Sequence, residues 1–160
     1  VPVLGEETAE ENNLIMSVLY KDMSGNVIDV SNLAQGTDFV VEVTVSNPDS
    51  KEYLKEMALT QIFPSGWEIH NTRMDDAESA HAPGSFDYQD IRDDRVYTYF
   101  GLSKFSAYTG SVHVKTFRIL LNAAYLGEYY LPAVLAESMY DNRINSRTKG
   151  QWVQVVRPGE

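Results

Sequence analysis

Phe39, Val41, Val43 and Val45 alternate with Val40, Glu42, Thr44 and Ser46, and the run stops at Asn47-Pro48-Asp49-Ser50. Successive side chains on a strand point to opposite faces, whereas a helix places apolar residues three and four apart. The segment therefore predicts a strand with one dry face, closed by turn formers. A strand cannot stand alone, because its backbone polar groups and its apolar face both need neighbours.

The rest of the chain supplies them. Leu14 to Tyr20 is apolar enough for a strand, Asp22-Met23-Ser24-Gly25-Asn26 is rich in turn formers, and Val27 to Val30 can return as a second hairpin arm. Tyr53 to Leu59 could pass for helix on propensity. The whole run from Tyr53 to Phe63 lies between two proline-containing turns among strands, and strand is the expected state. Trp67 to His70 follows, and Arg95 to Leu102 places Val96, Thr98 and Phe100 on one side with Tyr97 and Tyr99 on the other. Between Val114 and Phe117 the apolar phase of the Val112–Leu121 run changes, which fits a β-bulge or a buried strand end. Glu128 to Glu137 reads as one strand, locally an edge or bulged because Pro132 has no N–H to donate. Asp141 to Gly150 reads as a polar basic loop, and Gln151 to Arg157 as the closing strand. About eight strands, short turns and no convincing helix predict an all-β fold, an antiparallel β-sandwich. The polar stretch Asn71–Asp90 is a long loop of the kind that is often functional.

At 160 residues the chain is about one domain, and it buries roughly 70% of its extended surface on folding. Four glutamates, Glu6, Glu7, Glu10 and Glu11, make the start an acidic lead; residues 1–12 are expected to be a linker and 13–160 the sandwich. The absence of cysteine removes disulfides, thiol catalysis and cysteine-ligated zinc. A formal charge of −10 argues against nucleic acid as a partner. No apolar run reaches the ~18–20 residues of a membrane span. Val1-Pro2-Val3-Leu4 has neither the basic nor the apolar region of a secretion signal, so the chain reads as cytosolic or as a piece of a longer exported protein.

Few residues invite chemistry. His70, His81 and His113 lack metal-ligand spacing, and there is no nucleophile elbow, P-loop or dinucleotide fingerprint. No cofactor is expected and no enzyme activity. The densest charged cluster is Asp87-Tyr88-Gln89-Asp90-Ile91-Arg92-Asp93-Asp94-Arg95. Its carboxylates could bind calcium or form a hydrolase pair, but two arginines within it compensate the charge that a cation would need. The expected role of Arg92, Asp93, Asp94 and Arg95 is a structural brace, with Arg95 tying the Asn71–Asp90 loop to the sheet by bidentate pairing. Glu137, in an otherwise apolar strand, is expected to pair with Arg143 or Arg147. Met139 and Tyr140, at the end of that strand, either pack into the domain's own core or form an apolar cap for a partner surface.

Three segments in order, Phe63-Pro64-Ser65-Gly66-Trp67-Glu68-Ile69, then Tyr88 to Val96, then Gly127-x-Tyr129-x-Leu131-Pro132 running to Ala136-Glu137-x-Met139-Tyr140, resemble the last macroglobulin-like domain of bacterial α2-macroglobulins. The resemblance spans roughly Leu14 to Val156. It implies a macroglobulin-like, receptor-binding-domain-like sandwich of two antiparallel sheets. It also implies a non-catalytic task in an envelope protease trap, periplasmic or lipid-anchored. There the domain packs on the thioester domain of the same polypeptide, keeps its thioester dry, and moves when the bait region is cut. Target proteases are then partners of the full-length protein, and the isolated domain is a monomer. Carried over residue by residue, Tyr140 and Met139 are the shielding side chains, with Glu137 in the same contact. Two other readings compete: a carbohydrate-binding or adhesion module with Tyr97, Tyr99 or Trp67 as platforms, and a hydrolase using Asp90, Asp93 and Asp94.

Overall fold

The alternating segment does become a strand with a dry face. A computed structural model describes residues 10–12, 14–47, 54–71, 88–102, 114–141 and 143–158. Among them run thirteen strands and no helix: β1 (Glu10–Asn12), β2 (Ile15–Asp22), β3 (Asn32–Ala34), β4 (Asp38–Ser46), β5 (Leu54–Ile62), β6 (Trp67–Asn71), β7 (Tyr88–Ile91), β8 (Arg95–Leu102), β9 (Val114–Ala123), β10 (Gly127–Leu131), β11 (Leu135–Ser138), β12 (Asn145–Arg147) and β13 (Gln151–Val156). On β4, Phe39, Val41, Val43 and Val45 are enclosed, while Glu42, Thr44 and Ser46 stay half-exposed.

The strands form three sheets: six strands in the order β1-β12-β11-β5-β8-β7, four in the order β2-β4-β9-β6, and three in the order β10-β13-β3. Every pairing is antiparallel except β13 with β3. Their inward faces share one core. Phe100 of β8 meets Phe117 of β9 with ring centroids 5.0 Å apart. Trp67 of β6 stands edge-on to Phe39 at 4.9 Å and to Tyr20 at 6.1 Å. Such edge-to-face pairs satisfy the ring quadrupoles and add to the area the rings bury. On the outer side of the four-stranded sheet, Glu42 accepts from Lys21 at 3.3 Å and Arg118 at 3.1 Å. Partial burial pushes the Glu42 carboxyl upward, and the two cations together outweigh it, leaving it below the ordinary range.

Several elements differ from expectation, each for a physical reason. Val27–Val30 makes an isolated bridge, Lys21 to Val27, and one further bond from Ile28 N–H to the Tyr20 carbonyl, and then leaves β2 for β3. Glu128–Glu137 is two strands rather than one: β10 lies in the three-stranded sheet and β11 in the six-stranded sheet. Pro132-Ala133-Val134 is the crossing point, and a residue without an N–H suits a place where the ladder is handed over. The Asp141–Gly150 stretch contains β12, with Ser146 buried and Ile144 in the core. Register between β4 and β9 is unbroken from Val114 to Asn122, so the phase change near Val114 marks the strand's start. Glu10–Asn12, the end of the acidic lead, pairs with β12 and belongs to the six-stranded sheet.

Candidate functional site

β11 pairs with β5 as far as Ser138 opposite Met57, and with β12 as far as Glu137 opposite Asn145. The turn that follows is built from short polar side chains. Ser138 Oγ accepts the N–H groups of Tyr140 at 3.3 Å and Asp141 at 3.1 Å. The Asp141 carboxylate accepts Arg143 N–H at 3.0 Å and the guanidinium through Nε at 3.0 Å and Nη2 at 2.9 Å. These bonds, the guanidinium's first, hold the Asp141 carboxyl below its usual range. Ile144 N–H donates to the Asp141 carbonyl, and Ser138 N–H to that of Ile144, closing the turn onto β11. Ser and Asp side chains satisfy nearby backbone N–H groups in this way because their oxygens reach two or three residues onward.

The consequence is a fixed apex carrying apolar groups. Tyr140 is 81% exposed and Met139 54% exposed, so neither belongs to the domain's own core. Glu137 is exposed beside them. Arg143, one of the two partners expected for Glu137, sends its fork to Asp141, two residues away.

Arg92-Asp93-Asp94-Arg95 is the tight turn between β7 and β8, closed by a 2.8 Å bond from Arg92 N–H to the Arg95 carbonyl. Arg95 pairs bidentately with its own neighbour Asp94, at 2.9 and 3.1 Å, and its Nη1 reaches Tyr97 Oη at 3.4 Å. Arg92 pairs with Asp90 at 3.1 Å, and Asp93 is exposed. The hydrogen bonds from Arg95 hold the Asp94 carboxyl below its usual range. A backbone bond ties this hairpin to the body: Phe63 N–H donates to the Asp94 carbonyl at 2.7 Å. Residues 72–87 of the long loop lie outside the described residues, and so do His81 and His113. Among the described residues Arg92 and Arg95 each pair with a carboxylate one or two positions away. The side chains of Arg95 and Asp94 are 37% and 47% exposed, where water screens the pair strongly. Arg95→Ala is expected to lower the melting temperature by no more than ~4 °C, and millimolar calcium to leave it unchanged. Differential scanning calorimetry decides both; a rise of several degrees with calcium would assign these carboxylates to a cation.

Among the described residues no three of His, Cys, Asp and Glu are grouped to hold a metal ion. His70 stands 3.3 Å from Glu68, both on the surface. Trp67, one of the three platforms of the carbohydrate reading, is 2% exposed and cannot present a ring to a sugar. Sequence reasoning missed Ser138, although a serine two and three residues before the amides it serves is a local turn signal.

This architecture is that of the macroglobulin domains. A crystal structure of Salmonella alpha-2-macroglobulin reacted with methylamine matches with a TM-score of 0.76 at 20% identity, covering 95% of this chain and 10% of that one. Native alpha-2-macroglobulin from Escherichia coli, spanning domain MG7 to the C-terminus, matches with a TM-score of 0.75 at 18% identity, covering 94% of this chain and 24% of that one. The alpha-2-macroglobulin of Pasteurella multocida (strain Pm70) is 28% identical over 116 residues, 70% of this chain and 6% of that protein. Residues 16–142 match the Bacterial Alpha-2-macroglobulin MG10 domain family, and the chain belongs to it. It spans 6% and 8% of the lengths of the two curated relatives it matches, from Pasteurella multocida and Yersinia pestis.

Proposed function

We propose that this chain is a non-catalytic domain of a bacterial α2-macroglobulin-type protease trap of the cell envelope. In this reading it packs on the thioester domain of the same polypeptide and shields the thioester until bait cleavage moves it away. Tyr140 and Met139 are the shielding pair, Glu137 lies at their rim, and target proteases meet the full-length protein.

The observation that carries this reading is the Tyr140 apex. Its phenol is almost fully exposed, yet the amides around it are tied down by Ser138 and Asp141. Ordering a loop on association costs free energy, and a turn already held in place avoids that cost. A tyrosine brings an apolar ring that excludes water and a hydroxyl that can bond the rim of a neighbouring site. Hydrolysis or aminolysis of a thioester needs a nucleophile at its carbonyl carbon, so covering that carbon is sufficient protection. An exposed side chain contributes little to its own domain's stability, about ±0.5 kcal/mol on truncation.

Tyr140→Ala in the full-length protein is therefore expected to leave the melting temperature nearly unchanged. It should speed thioester loss to methylamine before protease cleavage about tenfold, the loss of ~1.4 kcal/mol of protection. Free-thiol release with time measures it. An unaltered thioester lifetime would exclude the shielding role, and unfolding of the domain would make Tyr140 a packing residue.

A further inference from the structure

β5 carries a register fault where it meets the Tyr140 turn. Opposite β8, Leu54 pairs with Leu102 and Met57 with Phe100, so Lys55 and Glu56 together stand against Gly101 alone. An extra residue of this kind bends its strand and re-aims what lies beside it. Glu56 takes φ +54°, and among the described residues it is the one non-glycine with a positive φ. That region crowds the Cβ of any L-residue and suits glycine, so a glutamate stays there only because its surroundings hold it. On the other edge of β5, Met139 N–H donates to the Glu56 carbonyl at 3.0 Å, one residue beyond the last paired position, Ser138 opposite Met57.

We propose that Glu56 is a positioning residue: its left-handed backbone aims the carbonyl that holds Met139 and thereby sets the direction in which Tyr140 projects. The inference rests on the shielding reading and deepens it. It assigns the work to the backbone of Glu56 rather than to its exposed carboxylate. Substitutions that accept a positive φ are therefore separable from those that resist it. Glycine accepts it freely, glutamine keeps the shape of the side chain without its charge, and a β-branched valine resists it.

The test uses the full-length protein carrying Glu56→Gly, Glu56→Gln and Glu56→Val, with hydrogen exchange at the Met139 amide and the rate of thioester loss to methylamine as readouts. Glu56→Gly and Glu56→Gln should stay within about twofold of the parent in both. Glu56→Val should exchange the Met139 amide, and lose the thioester, about tenfold faster, with little change in melting temperature. Should Glu56→Val fail to fold, Glu56→Thr, also β-branched but polar, takes its place with the same direction of effect. Equal Met139 exchange in the Val and Gly variants would overturn the proposal, and so would Glu56→Gln accelerating thioester loss as Val does. Tyr140→Ala run alongside separates the two ideas. If it leaves the methylamine rate unchanged, shielding fails, while Met139 exchange in Glu56→Val still decides whether Glu56 holds the turn.

Discussion

Phe39→Ala is expected to cost about 3–5 kcal/mol, because a fully buried ring is removed and its cavity cannot be refilled. Phe39 is 0% exposed, and its ring is the nearest aromatic partner of Trp67. The indole N–H of Trp67 is buried without a hydrogen-bond partner among the described residues, so packing alone holds this ring in place. Removing Phe39 deletes the main contact and leaves Trp67 with space but no polar anchor. Domains of this kind are stable by only ~5–15 kcal/mol, so about a fifth or more of the total is at stake. Urea unfolding followed by tryptophan fluorescence should show a lower midpoint with an unchanged slope. A loss below ~1.5 kcal/mol would mean that the core collapses around the gap more completely than close packing allows.

Gly66→Ala should destabilise by about 1–3 kcal/mol through overpacking. The Tyr129 ring lies across Gly66, and a Cβ built there would stand 2.6 Å from the ring's Cζ. Rotating the ring away is not free. Tyr129 Oη donates to the Leu126 carbonyl at 2.8 Å and lies 3.2 Å from that of Tyr125. The Gly66 carbonyl in turn accepts Ala124 N–H at 2.9 Å and Tyr125 N–H at 3.0 Å, so ring, turn and glycine form one closed arrangement. In a Tyr129→Ala background the same Gly66→Ala change should cost less, with a coupling of ~0.5 kcal/mol or more in a double-mutant cycle. Strict additivity would show that the ring is not the obstacle.

Much of the β architecture was readable from local pattern. The alternation at Phe39–Ser46 and at Arg95–Leu102 reports which face is dry, because strand geometry sends neighbours to opposite sides whatever the rest of the chain does. Tyr53–Phe63 was harder, since the helix propensity of its centre competes with pairing. The ladders to β8 and β11 on either side settle it in favour of strand. Pro132 was visible as a break, but not as the point where the chain changes sheets. The candidate site divides in the same way. The charged run Asp90–Arg95 was found as a cluster, and Arg92 and Arg95 pair with carboxylates one or two positions away, because a two-residue hairpin turn brings those side chains together.

By itself, then, the sequence determined the alternating strands, their dry faces and the end of the apolar strand at Asp141. All of these rest on interactions spanning only a few residues. Only the tertiary structure decided that Tyr140 stands in solvent rather than in the core, because exposure depends on which sheet faces the end of β11. It alone decided that Pro132 separates two sheets, and that a fault in β5 puts Glu56 in a left-handed conformation against Met139, some eighty positions away in the chain. A register is a relation between strands, and no local pattern within either strand contains it.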